Sequence, residues 1–182
     1  TRYKELLGET LAICGVSSTA NELAEIVAKS YSKEENRRWV ERVMIALGRA
    51  SDKNAKDALL KLAGMKGYIS IDAVSALGSR GEADKEIAKM LAAAGKDKHK
   101  YYACVAALAR ISSPASIKAL LTAMSKASDP AMKLAAGEAL ISSASSSKKA
   151  AKQLEDCANK ILSDSKASLP LQLNAYSALA RL

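Results

Sequence analysis

Apolar residues recur along this chain at helical spacing, and the pattern is clearest between Ser113 and Ile141. Ile117, Leu120, Leu121 and Met124 make one stripe, and Met132, Ala135, Ala136, Ala139 and Leu140 make the next. Pro114 and Pro130 each stand at a first helical position, where the missing N–H costs nothing and the fixed φ suits the helix. Ser113 and Asp129 precede them as N-caps, each able to accept from an orphan backbone N–H. Neither helix can bury its stripe alone, so the rest of the chain has to supply neighbours.

Laid against itself, the sequence repeats. The pairs Ala46-Leu47, Ala76-Leu77, Ala107-Leu108, Ala139-Leu140 and Ala178-Leu179 recur at intervals of 30, 31, 32 and 39 residues. Ile13-Cys14-Gly15 stands 33 residues before Ala46-Leu47-Gly48. Four positions before each leucine comes Val43, Ala73, Cys104, Ala136 or Ala175, and eight before it Trp39, Ile69, Lys100, Met132 or Leu171. Those offsets fall on one helical stripe. Lys100 breaks it, with Tyr101 and Tyr102 beside it to fill the gap.

A period near thirty with two helices per unit indicates stacked repeats sharing one core. The units are placed at 1–33, 34–64, 65–95, 96–127 and 128–166, with a half unit at 167–182, all in a single domain 1–182. The first helix of each carries the Ala-Leu pair. The second helices are expected over 19–30, 52–62, 83–93, 114–124 and 148–162. Turns are read at Gly15-Val-Ser-Ser, Gly48-Arg-Ala-Ser-Asp, Gly78-Ser-Arg-Gly and the serine-rich run 142–147. The last segment, 171–182, reads as a first helix without its partner. It is expected either to belong to a longer protein or to act as an unusual cap.

The run from Asp129 to Leu140, Asp-Pro-Ala-Met-Lys-Leu-Ala-Ala-Gly-Glu-Ala-Leu, resembles the first helix of a HEAT repeat. Met132 takes the place of the usual valine and Lys133 that of the usual arginine. Ser113-Pro-Ala-Ser-Ile-Lys-Ala-Leu-Leu is similar to the second helix of the short HEAT-like class, which occurs in many bacterial proteins and in bilin lyases. By period the resemblance spans nearly the whole chain; by motif it covers about one repeat. Asp97 keeps the aspartate without the proline, and the basic position is Val40, Ser70, Tyr101 and Gln172 elsewhere. The resemblance implies an all-α fold, a right-handed α-solenoid of stacked two-helix repeats, and implies no chemistry.

Composition agrees with helices. The 182 residues include no Phe and one Trp, so buried volume comes from Ala and medium aliphatic side chains, a palette that suits close-packed helices better than sheets. No apolar run is long enough for a transmembrane helix. The net charge of +9 favours attraction to polyanions, acidic proteins or anionic surfaces without choosing among them. Positive charge is uneven: unit 96–127 has six basic residues against Asp97 alone, whereas 128–166 has six lysines against five acids. Second helices usually line the concave face of such an array, so Lys85, Lys89, Lys118, Lys149 and Lys152 are the candidate basic groove.

The sequence offers little catalytic chemistry. His99 is the single histidine and sits among lysines, reading as a loop residue. Cys14, Cys104 and Cys157 are too sparse for a disulfide framework or a zinc site and read as small buried hydrophobes. Gly78-Ser-Arg-Gly81 lacks the spacing and the lysine of a phosphate loop. The adjacent acids Glu34-Glu35 and Glu155-Asp156 diverge on a helix surface instead of facing each other. Trp39 falls on the core stripe. The chain is therefore expected to be a non-enzymatic protein-interaction scaffold with no catalytic, metal or cofactor residue. A nucleic-acid-binding module using the lysine-rich helices is the alternative, followed by a relative of HEAT-like DNA glycosylases or bilin lyases.

Overall fold

A computed structural model describes residues 19–145 and 148–182. Among these residues there are ten α-helices, one 3-10 turn at Glu34–Asn36, and no strand. They fall into two compact units, one through Ala83 and one from Asp84 onward. The first holds α1 (Thr19–Ser30), α2 (Arg37–Arg49), α3 (Lys53–Ala63) and α4 (Tyr68–Arg80). The second holds α5 (Asp84–Ala93), α6 (Lys98–Ile111), α7 (Pro114–Lys126), α8 (Pro130–Ser145), α9 (Lys148–Ser163) and α10 (Leu169–Leu179). No helix among the described residues is long and apolar enough to cross a membrane.

The caps explain where the helices begin. Ser113 Oγ accepts from Ser116 N at 3.1 Å, and Asp129 Oδ1 accepts from Ala131 N at 2.8 Å and Met132 N at 3.4 Å. Asp52 and Asp97 cap α3 and α6 in the same way, accepting from Ala55 N at 2.9 Å and Lys100 N at 3.0 Å. Each such bond satisfies a donor the helix cannot, for about 1 kcal/mol. At the other end, Gly81 closes α4 at φ 72°, a left-handed conformation that a side chain would strain.

Within each unit a helix packs on its neighbour and on the next but one: α1 on α3 and α2 on α4 in the first, α5 on α7, α6 on α8 and α7 on α9 in the second. The repeated leucines fill these contacts. Leu47, Leu77, Leu108 and Leu140 are all buried, as are Val43, Ala73, Cys104, Ala136 and Ala175 four positions earlier. Trp39, Ile69 and Met132 join them one turn further back. At the broken position Tyr101 is buried in place of Lys100, so a neighbour one residue along restores the stripe.

Three expectations are corrected. Gly48 and Gly78 do not open turns but lie inside α2 and α4, both buried. A Cβ on Gly48 would stand 3.1 Å from the Ala76 carbonyl oxygen, so the glycine lets α2 and α4 approach closely. The serine run does not break α8 at Ile141: the helix continues to Ser145, whose hydroxyl donates back to the Ile141 carbonyl at 2.9 Å. Finally, α10 keeps only the small residues of the expected stripe fully buried. Leu171 and Leu179 are only half-buried, while Asn174, Ala175 and Ala178 are buried. The helix packs on α7 as well as on α8 and α9, and Asn174 joins Ala175 and Ala178 on the buried face. The expected turn at Gly15 and the Ile13-Cys14-Gly15 match lie outside the described residues.

Polar ties join elements about one repeat apart. In the first unit the Arg80 guanidinium, 3% exposed, donates to the carbonyls of Leu47 and Asp52, each at 3.1 Å, and also to that of Ala50. A cation thus closes the C-terminal end of α2, where carbonyls have no helical partner. In the second unit Ser143 Oγ donates to Ser112 Oγ at 2.8 Å, Ser113 Oγ to Asp84 Oδ2 at 2.5 Å, and Tyr101 Oη to the Met132 carbonyl at 3.1 Å. Lys98 Nζ meets Asp129 Oδ2 at 2.5 Å.

Candidate functional site

The five lysines chosen from the sequence all lie in the second unit and are all exposed. Lys85 and Lys89 are one turn apart on α5, Lys118 is on α7, and Lys149 and Lys152 are on the first two turns of α9. Because α5 packs on α7 and α7 on α9, the three carrier helices are successive neighbours. Their side chains have different surroundings, however. Lys118 is close enough to Cys157 on α9 to oppose the effect of burial on its thiol, and Lys160 acts on the same thiol. Lys152 instead lines a shallow shelf with Lys148, Glu155, Leu179 and Leu182. Lys160, absent from the sequence-derived set, is thus the α9 cation associated with Lys118. Its spacing of eight from Lys152 places both on one helical stripe, the signal that could have included it.

The remaining chemistry-bearing residues have structural surroundings. Burial pushes the Cys104 thiol up to about 11, far from thiolate chemistry at neutral pH, and raises that of Cys157 too. Burial also raises Tyr101, whose hydroxyl is engaged by Met132. The hydrogen bond from Lys98, helped by the Ala131 amide, lowers Asp129 below the ordinary carboxylate value. Asp72 on α4 is raised by burial and by Glu41, against the opposing pull of Arg37. No group of three or more His, Cys, Asp or Glu among the described residues is arranged to hold a metal ion. His99 lies in the first turn of α6, within a helix rather than in a loop. Cys14 lies outside the described residues.

One concavity was not foreseen from the sequence. A cavity of about 140 Å³ lies among α7, α8, α9 and α10, with Met124, Leu140, Leu154 and Ala178 in its wall. It forms where α10 departs from the regular packing and reaches α7. Asn174, 5% exposed, also lines it, and its Nδ2 has no hydrogen-bond partner. The apolar stripe does not mark Asn174, because its burial comes from the packing of α10 on α7.

A separate feature is the large apolar side chains left in solvent, which include Ile26, Ile45 and Tyr68 in the first unit and Leu182 in the second. Leu134 on α8 is 61% exposed, and Leu169, Leu173 and Tyr176 on α10 are 68%, 55% and 61% exposed. The three on α10 are spaced four and three apart and therefore share one face. In comparisons with known proteins, no family model and no curated protein matches this chain.

Proposed function

We propose that the chain is a non-enzymatic scaffold, a right-handed α-solenoid of HEAT-like repeats that binds another protein through the outer face of its first helices. The observation that carries the reading is the exposed apolar set of Leu134, Leu169, Leu173 and Tyr176, which the molecule does not use for its own core. Leu134 and Leu173 each stand six positions before a repeat leucine, so the repeat presents them at the same register. Exposed apolar residues sharing one face, as Leu169, Leu173 and Tyr176 do on α10, are a usual basis of a protein interface. The solenoid arrangement is supported by the buried leucines and by polar ties that span about one repeat. Small-angle scattering tests it: stacked repeats require a radius of gyration clearly above the roughly 16 Å of a compact 182-residue domain.

The second reading, a polyanion binder, is favoured by the exposure of all five candidate lysines on neighbouring helices. Salt and mutation separate the two. If five lysines neutralise five phosphates of a DNA duplex, affinity falls roughly 500-fold between 50 and 200 mM salt. A protein partner held by the apolar face is retained over that range, lost on L173E/Y176E substitution, and unaffected by exchanging the lysines for glutamine. Steep salt dependence abolished by the lysine exchanges would overturn the scaffold reading.

A further inference from the structure

We propose that the cavity among α7, α8, α9 and α10 is a binding site for a small monocarboxylate whose body is apolar. Its size is that of a cavity able to hold a benzene-sized molecule, and Met124, Leu140, Leu154 and Ala178 give it an apolar wall. An apolar wall alone would fit any hydrocarbon, but two observations narrow the class. Asn174 is buried in that wall with an amide N–H that no acceptor meets, a costly arrangement unless a ligand oxygen completes it. Arg181 lines the same cavity, two residues past the C-terminal end of α10. The cavity also adjoins the shelf that holds Lys152, since Ala151 and Leu182 line both.

The resulting site has an apolar wall with the Ser145 and Ser177 hydroxyls beside it, a neutral donor in Asn174, Arg181 on its lining, and Lys152 with Glu155 on the adjoining shelf. A carboxylate cannot enter the apolar part without a large desolvation cost, so its charge stays at the mouth beside Arg181 and Lys152. The Asn174 Nδ2 is fully covered as it stands, so the side chain turns to donate to one carboxylate oxygen, and the ring or chain fills the space against Leu140 and Leu154. A neutral molecule of the same shape loses the charge-assisted contact. This site is independent of the apolar outer face and of the scaffold reading.

The test is titration of the 182-residue chain at pH 7 with benzoate and with benzamide, its neutral counterpart of like shape. Binding is read from the methyl resonances of Met124, Leu140 and Leu154. Benzoate is expected to shift all three and to bind about tenfold more tightly than benzamide. Asn174→Leu should weaken benzoate about tenfold without lowering Tm, because it replaces a partnerless buried amide by an apolar group. The exposed pair Arg181→Ala/Lys152→Ala, which leaves the core untouched, should bring the two probes to equal affinity, and this result stands even if the Asn174 variant does not fold. Ala144→Phe, which fills the cavity, should abolish both. The proposal is overturned if benzoate leaves the three methyls unmoved, or if it binds equally well after Ala144→Phe. Undiminished binding by a folded Asn174→Leu chain, or a preference for benzoate that survives loss of both cations, overturns it as well.

Discussion

The two compact units close corresponding places in their repeats with different chemistry. Arg80 and Ser143 both stand three positions after a repeat leucine, and both reach back about thirty residues to the C-terminal end of an earlier first helix. In the first unit a single buried cation holds three carbonyls. In the second a neutral hydroxyl contacts the Ser112 hydroxyl, while Ser113–Asp84, Tyr101–Met132 and Lys98–Asp129 carry further ties. At one register Arg80 meets helix-end carbonyls directly, whereas Ser143 meets the Ser112 hydroxyl, which itself donates to the Ala109 carbonyl of α6. One unit concentrates this function and the other distributes it.

The largest test concerns what the units share. Leu77→Ala in the first and Leu108→Ala in the second remove equally buried side chains at the same register, so each should cost about 2–5 kcal/mol in denaturant unfolding. Costs that differ by several kcal/mol would break the equivalence. The next test concerns what they do not share. Arg80→Ala leaves carbonyls at the end of α2 without a charged donor and should cost about 3 kcal/mol, with faster hydrogen exchange of the Ala50 and Ala55 amides. Ser143→Ala, with other ties intact, should cost about 1 kcal/mol.

Two helical glycines give the third comparison, with opposite signs. Gly48→Ala drives a methyl against the Ala76 backbone and should destabilise by about 1–2 kcal/mol. Gly137→Ala meets only the flexible end of Met124, at 3.7 Å, and should stabilise by about 0.5–1 kcal/mol through helix propensity. Thermal unfolding of the pair decides whether α2 and α4 are as tightly apposed as their glycine implies. The smallest effect belongs to Asp72. Its carboxyl titrates above the ordinary 3.8, so the folded state holds the proton more tightly than the unfolded one. Stability therefore falls as pH rises from 3.8 through the raised value, and the penalty is complete above it. Asp72→Asn should gain a few tenths of a kcal/mol at pH 7 and nothing at pH 3, as read by Tm across that range.

Helix positions were legible wherever local chemistry declared them. Pro114, Pro130, Ser113, Asp129 and Asp52 mark starts that the structure keeps within a residue, and the Ala-Leu pairs mark buried positions in α2, α4, α6 and α8. Residues whose roles depend on distant partners were not legible. Arg80 reads locally as part of a Gly-Ser-Arg-Gly turn. Its role shows only when Ala50, Ile111 and Ser143 at the same register are seen to be small or apolar, where a cation must find acceptors. Gly48 looked like a turn residue because a close approach by α4 leaves no local trace. Asn174 is buried by the way α10 reaches α7, which no period predicts. Of the candidate lysines, exposure and carrier helix followed from the pattern, but the association of Lys118 with Cys157 and Lys160 did not.

The reach of the Arg80 and Ser143 ties restricts how such a chain can change in length. Deleting or duplicating a stretch equal to one full tie keeps first helices opposite first helices. A change of half that length puts a second helix where a first helix is needed and strands a guanidinium or a hydroxyl against a wall of methyl groups. A length change of about thirty residues should therefore be tolerated better than one of about a dozen.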